Sequence, residues 1–309
     1  MAGQQSITIL QARKKLFDAM RVYFDTHGYL EVHTPLWIPA PALEDYIDAI
    51  PAGKQYLRTS PELHMKRLLG GGLNRIYQLG ACFRAGEYSS RHLPEFTMLE
   101  WYRADADCYG ILHETIELVR HCCKAITGQN FIAYEDQQIE LHEDWDVMTV
   151  DEAFARYAET ERSVDALIDE QEFEIKLLED VQPNLGKHRP TVLSNFPAGM
   201  SSLARKCPEN PDRVERWELF IAGMEIANAY TELTDYTEQI QRFEVSRDLR
   251  AKTGREIYPL DKEYLKLLKK RQLPECGGIA FGVDRFLMLL TNQSNIQDVV
   301  PFADERMTG

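Results

Sequence analysis

At 309 residues, with 44% hydrophobic and 27% charged content, the chain is long enough to bury one large core or two modest ones, which excludes a disordered polymer. No apolar run approaches the ~18 to 20 residues that cross a bilayer, and Met1 to Leu10 lacks the basic start and apolar centre of a signal peptide, so a cytoplasmic protein is expected. A formal net charge of −14 repels nucleic acid at long range and counts against bulk electrostatic binding of tRNA.

In chain order, Leu10, Leu16, Phe17, Met20 and Phe24 recur near helical spacing up to a stop at Gly28, predicting an amphipathic helix over Leu10 to His27. Tyr29 to His33 alternate as a strand does, until Thr34-Pro35 forbids a continuing ladder. Ser60-Pro61-Glu62 then supplies an N-cap, a first-turn proline and an acidic first turn for a helix ending at Gly70 to Gly72. Two strands follow, Arg75 to Arg84 and Phe96 to Arg103, joined by the polar loop Ala85 to Pro94.

Tyr109 to Lys187 is acidic and helical in pattern, with helices expected at Tyr109 to Thr127, Val150 to Ala158 and Val164 to Asp180. This predicts a helical insertion at about residues 105–190 on a single domain spanning 1–309. Strands return at Thr191 to Ser194, Arg216 to Ala222 and Glu225 to Leu233, followed by helices at Thr237 to Lys252 and Asp261 to Lys270. The last element, Gly277 to Leu290, reads as a strand running into an apolar helix. Strands separated by loops and helical insertions, without βαβ alternation, predict an α+β fold on an antiparallel sheet flanked by helices.

The six cysteines form no CxxC pair, so reduced and mostly buried thiols are expected. Three basic clusters, Lys187 to Arg189, Arg247 to Arg255 and Lys266 to Arg271, read first as solvated faces and second as docking surface for an acidic partner.

The residues that suggest chemistry are Glu218, Glu225 and Glu232, spaced by seven in segments that otherwise read as buried strand. Buried carboxylates need a compensating Mg²⁺, ammonium or arginine, and a hairpin is expected to bring all three to one face. Arg84 ends a strand, and Arg285 opens the last helix after Gly282-Val283-Asp284. A planar guanidinium fork beside a helix N-terminus suits a polyphosphate.

The stretches YLRTSPELHMKRLL, CFRAGEYSSRHLPEFTMLEWYR, FIAGMEIANAYTELTD and GGIAFGVDRFLMLL, from about Leu10 to Phe302, resemble the catalytic domain of class II lysyl-tRNA synthetases. That resemblance implies ATP with Mg²⁺. Arg84 and Arg285 would hold the α- and γ-phosphates, Phe96 would stack on adenine, and Glu218 and Glu225 would hold Mg²⁺. Gly86, Glu87, Leu93, Ile226 and Gly282 complete the implied ATP site, and Arg84, Glu225 and Arg285 are its implied catalytic residues. Ser60, Glu62 and Ala280 would line the amino-acid pocket, with Glu232 and Tyr102 on the substrate's side-chain ammonium. GYLEVHTP is similar to the motif that builds the family's dimer interface, which implies a homodimer.

Only about nine residues precede the first expected helix, so no anticodon-binding domain is expected. The chain therefore looks like the stand-alone branch of the family, which attaches β-lysine to a lysine of translation elongation factor P. Ala280 stands where lysyl-tRNA synthetases usually carry glycine, and its methyl would favour a displaced amino group. Three positions depart from the pattern: the glutamate expected two residues after Arg84 stands at Glu87, Leu93 replaces an asparagine, and Ala229 replaces a glycine. A truncated enzyme charging tRNA or a small carrier, a non-catalytic regulator, and a relative of asparagine specificity are the competing readings.

Overall fold

The computed structural model describes residues 4–158, 160, 162–169, 172–200 and 203–303. The first helix, α1 (Gln4–Thr26), places Leu16, Met20 and Phe24 on one buried stripe. It stops where Gly28 adopts φ +73°, a left-handed conformation that a Cβ would strain. The expected strand after it shrinks to β1 (Leu30–Glu31): the Val32 amide still donates to the Tyr77 carbonyl, but the Thr34 amide turns to the Gln78 side chain instead of the ladder. A small three-stranded sheet of β2 (Trp37–Ile38), β3 (Pro51–Ala52) and β4 (Gln55–Leu57) follows, which the sequence did not announce.

Helix α2 (Glu62–Gly70) starts where Ser60 Oγ accepts from the Glu62 amide at 2.9 Å. Strands β5 (Arg75–Phe83) and β6 (Glu95–Ala104) pair antiparallel as expected. Helix α3 (Cys108–Thr127) is capped by Asp107, whose carboxylate accepts from the Gly110 amide at 2.8 Å.

The segment expected to be a helical insertion is not wholly helical. It holds the hairpin β7 (Phe131–Tyr134) and β8 (Gln137–Glu140), then β9 (Asp146–Thr149), which pairs parallel with β10 (Thr191–Ser194) in the main sheet. Between them α4 (Val150–Tyr157) carries a full capping box of Thr149 and Glu152. The helix expected over Val164 to Asp180 is broken into α5 (Val164–Asp169), α6 (Phe173–Lys176) and a π-turn at Leu177–Val181, while Glu170 and Gln171 lie outside the described residues.

The hairpin β11 (Arg216–Ile221) and β12 (Met224–Thr231), helices α7 (Tyr236–Lys252) and α8 (Lys262–Lys269), strand β13 (Cys276–Gly282) and helix α9 (Val283–Leu290) complete the fold near the expected bounds. The main sheet has eight strands in the order β1-β5-β6-β13-β12-β11-β10-β9. Its inner pairs are antiparallel, but both edge pairs, β1/β5 and β9/β10, are parallel, so the sheet is mixed rather than purely antiparallel. The fold is α+β.

One face of the sheet, carrying Leu99, Trp101, Trp217, Leu219, Ile279 and Phe281, packs in a single apolar core with residues of α1, α3 and α9. A buried ionic contact ties that layer together. Asp284, in the first turn of α9, accepts from Arg13 of α1 at 2.5 Å and from the Thr97 amide of β6 at 2.7 Å. Asp284→Ala strands the Thr97 amide and takes the carboxylate from Arg13, which keeps the Thr97 hydroxyl and the Val299 carbonyl, and is expected to cost about 2 kcal/mol in urea unfolding; a loss under about 0.5 kcal/mol would show the contact is incidental.

Five of the six cysteines are buried and all are free thiols, as the sequence led us to expect. The second basic cluster is a solvated face only in part, at Arg247 and Lys252. Arg250 is fully buried and donates to the Glu44 and Ile47 carbonyls and to Asp48, while Arg255 also reaches Asp48. These arginines anchor the loop at residues 44–48. Among the described residues, no helix is long and apolar enough to cross a membrane.

Candidate active site

The opposite face of the sheet floors a cavity of about 960 Å³. Alternation along β6 explains the floor: Phe96, Met98, Glu100 and Tyr102 line the cavity, while Leu99 and Trp101 between them enter the core. The same period on β13 sets Ala280 and Gly282 against the cavity. In register, Ala280 lies opposite Glu100 on β6 and Asn228 on β12.

A plain hairpin cannot gather the three glutamates. Residues an odd number apart on a regular strand face opposite sides, so Glu225 and Glu232 would diverge. A bulge corrects this. Leu219 pairs with Ala227 and Phe220 with Glu225, leaving Ile226 as the extra residue. Glu218, Glu225, Asn228 and Tyr230 consequently all line the cavity. Glu232 does not line it; the carboxylate is fully buried behind, where Oε2 meets the Lys66 ammonium.

Each of these glutamates has a cation from the protein itself. Glu218 Oε1 accepts from Arg216 at 2.5 Å, Glu225 lies 3.5 Å from Arg285, and Glu232 pairs with Lys66. Burial pushes the Glu218 carboxyl up to about 8; Arg216 pulls it down and the charge of Glu225 raises it again. A divalent cation between Glu218 and Glu225 would relieve that penalty. Among the described residues no group of three or more His, Cys, Asp or Glu is poised to hold a metal. Two carboxylates fit Mg²⁺, which commonly takes one or two from protein and the rest from water and phosphate.

The arginines differ. Arg84 follows β5 with its amide bonded to the Pro94 carbonyl at 2.8 Å, and its guanidinium lies 5.2 Å over the Phe96 ring. Arg84 Nε is buried without a hydrogen-bond acceptor, and Glu87 is 3.7 Å away. That orphaned donor suits an incoming anion. Arg285 is already engaged, donating to the Arg91 carbonyl at 3.2 Å and the Glu225 carbonyl at 2.9 Å, with His92 beside it. Burial, reinforced by the Arg285 charge, lowers His92 to about 4, so it stands neutral against that guanidinium. Leu93, Ile226, Glu87 and Gly282 border the same region; Gly86 turns the loop at φ +77°.

Ser60 and Glu62 meet Tyr102 at the far side. Glu62 accepts from Lys66 and from the Tyr230 hydroxyl, each at 2.5 Å. Glu100, which sequence reasoning missed, is 1% exposed and accepts from Ser60 at 2.8 Å and from Tyr102 at 3.0 Å. Burial pushes its carboxyl up to about 8, helped by the nearby charge of Glu62 and opposed by both hydroxyls. Its signal was the shared parity with Phe96 and Tyr102 on one strand. Glu44, held by Arg250, was also missed; burial pushes it up to about 7 despite Arg84.

This division, a guanidinium with an unfilled donor at one side and surplus buried carboxylate at the other, matches a substrate with anionic and ammonium ends. The model of the family described as tRNA synthetases class II (D, K and N) matches residues 1–306. The chain belongs to that family. Class II synthetases of this kind are ATP-dependent amino-acid ligases. The chain is 37% identical to the lysine–tRNA ligase of Bacillus subtilis over 95% of its own length, but spans only 63% of that relative. It is 36% identical to the elongation factor P–(R)-beta-lysine ligase of Pectobacterium atrosepticum over 97% of this chain and 96% of the relative. The ligase of that name from Salmonella arizonae is 35% identical over the same shares.

Proposed function

We propose that the chain activates (R)-β-lysine or lysine with ATP and transfers the aminoacyl group to a lysine side chain of elongation factor P. The observation that carries the amine specificity is the count of buried charge beside Tyr102. Lys66 pairs with Glu62 and Glu232, while Glu100 has hydroxyl partners and only the more distant charge of Arg58, so the subsite is rich in carboxylate, asks for cationic substrate groups and disfavours the carboxylate of aspartate. Relatives bearing the ligase name align over almost their full length, which supports the protein acceptor.

In the first step a substrate carboxylate oxygen attacks the α-phosphorus of ATP, the bond to the bridging oxygen breaks, and pyrophosphate leaves. Arg84 orients and stabilises the phosphoryl group, Arg285 contributes once released from its present partners, and Phe96 offers a face for adenine. Glu218 and Glu225 would hold Mg²⁺, which supplies charge neutralisation on the phosphates when bound. In the second step an acceptor amine attacks the adenylate carbonyl; an amide forms and AMP leaves. Ala280, between Glu100 and Asn228, narrows the floor where an α-amino group would approach. The same reading takes the protein to be cytoplasmic and homodimeric, the latter supported by exposed Ile7, Leu10, Val22, Leu30, Leu36 and Trp37 on and after α1.

The test is pyrophosphate exchange with α-lysine, (R)-β-lysine and aspartate, followed by transfer to elongation factor P or tRNA. Exchange with the lysines and label on the protein are expected. Label on tRNA would favour the synthetase reading instead, and no exchange with any amine would sink the ligase reading altogether.

A pH dependence follows from Glu100. Its carboxyl titrates near 8 in the empty cavity, while an ammonium ligand demands the ionised form. Below that value binding must expel a proton, so affinity for lysine is expected to rise by up to about tenfold per pH unit from 6 to 8 and then level off. The sign for stability is opposite. A carboxyl raised on folding costs the empty protein stability as pH climbs from the ordinary carboxylate range toward 8.

A further inference from the structure

Most carboxylates that line the cavity are matched from within the protein. Glu62 meets Lys66 and Tyr230, Glu100 meets two hydroxyls, Glu218 meets Arg216, Glu225 meets Arg285 and Asp284 meets Arg13. Glu44 lines the same cavity, yet among the described residues its carboxylate has neither a hydrogen-bond donor nor a cation within ion-pair distance. Its backbone is pinned. The fully buried Arg250 donates to the Glu44 carbonyl at 2.7 Å and to the Ile47 carbonyl at 3.0 Å, and the Ala85 amide, next to Arg84, donates to the Asp48 carbonyl at 2.7 Å. The charges that bear most on Glu44 are Arg84, at the phosphate end of the cavity, and Glu62, at the amine end; Tyr230, beside Glu62, feels the charge of Glu44 in turn. The carboxylate therefore stands between the two ends.

Both lysines carry two ammonium groups. With the substrate carboxylate at the α-phosphorus near Arg84, the distal ammonium reaches the carboxylates beside Tyr102, and the other, on the first or second carbon from that carboxylate, lies between. We propose that Glu44 is a specificity-determining residue that accepts hydrogen bonds from this proximal ammonium, and so separates diamino acids from analogues lacking that nitrogen. The inference rests on the amine-activating reading and names the group that reads the substrate's second nitrogen. Glu62 is the less available partner, because Lys66 and Tyr230 already occupy it. An unmatched carboxylate facing a site for phosphates and a substrate carboxylate is a cost in the empty protein, which a proximal ammonium removes. A ligand without that ammonium leaves Glu44 unpaired and is rejected for it. Asp45, the next residue, also lines the cavity and buries Oδ1 without a hydrogen-bond partner, so it serves as the comparison.

Removing the proximal amino group from either lysine leaves the same molecule, 6-aminohexanoate, so one analogue tests both. In pyrophosphate exchange the unmodified protein is expected to use α-lysine and (R)-β-lysine at least about 100-fold better than 6-aminohexanoate in kcat/KM. Equal use of all three would overturn the proposal. Glu44→Gln keeps the shape and removes the charge: kcat/KM for the lysines is expected to fall about 10- to 100-fold while 6-aminohexanoate is unaffected or improves, so the preference shrinks, and the Kd of ATP stays the same. A loss shared equally by all three substrates, or one that falls on ATP affinity, would overturn it, since Glu44 would then be structural or read the nucleotide. A preference that survives Glu44→Gln and collapses in Asp45→Asn would overturn it as well. Should Glu44→Gln fail to fold, Glu44→Asp withdraws the charge by one methylene and is expected to shrink the same preference by less; an intact preference there would overturn the proposal. Failure of the underlying reading looks different: no amine supports exchange at all.

Discussion

Replacing Gly278 by alanine is expected to lower pyrophosphate exchange with lysine-like substrates about 10²-fold or more, the scale on which ångström misplacements act. A Cβ built on this residue would lie 2.2 Å from Tyr102 Cε1 and 2.6 Å from Glu232 Oε1. Neither neighbour can yield cheaply. The Tyr102 ring is buried with its hydroxyl on Glu100, and Glu232 is fully buried against Lys66. The backbone cannot retreat either, because Gly278 is paired across β13 with Tyr102 on one side and Tyr230 on the other. The added methyl therefore pushes Tyr102 toward the cavity or Glu232 away from its counter-ion. Overpacking of this kind costs about 1–3 kcal/mol of stability, so thermal unfolding and nucleotide binding must be measured beside exchange. A folded Gly278→Ala protein with an unchanged KM for lysine would remove Tyr102 and Glu100 from the amine subsite.

Gly278 also shows what the sequence discloses and what it withholds. The parity of β6 and β13 was readable, since alternating residues on strands of known phase must share a face. Glu100 could have been found by the rule that placed Phe96 and Tyr102. The grouping of Glu218 with Glu225 was readable only as an oddity: spacing by seven argues against one face, the bulge at Ile226 that brings these two to the cavity has no marker in the local residues, and Glu232 stays buried behind it. Lys66 stands four residues after Glu62, a spacing usually worth little on an exposed helix, and only tertiary burial turns it into the partner of Glu232. β7, β8 and β9 escaped notice because they are short and lie in a stretch whose composition reads as acidic helix, and the turn between β7 and β8 uses Glu135 at φ +50° where glycine or asparagine would have announced it. Arg250 and Arg255 read as surface charge from composition; long-range bonds to the loop at residues 44–48 make them structural.

Arg84→Ala should separate phosphate chemistry from fold more cleanly than any change at Arg285. Arg84 contributes little to the empty protein: its Nε has no acceptor, and its ion-pair partner among the described residues, Glu87, stands 3.7 Å away. Thermal stability is expected to stay nearly unchanged when it is removed. Adenylate formation is expected to fall about 10²- to 10³-fold in kcat, the usual cost of deleting one preorganised donor from a developing anion. Arg84→Lys keeps the charge but loses the planar fork and the stacking over Phe96, so it should recover only part of the rate. Arg285→Ala, by contrast, frees the Arg91 and Glu225 carbonyls and leaves Glu225 without its cation, so activity and stability should fall together. Single-turnover exchange beside thermal unfolding of all three variants reads both quantities. If Arg84→Ala unfolds early while the surviving protein turns over normally, the unfilled donor is structural and the phosphate site must be sought nearer Arg216.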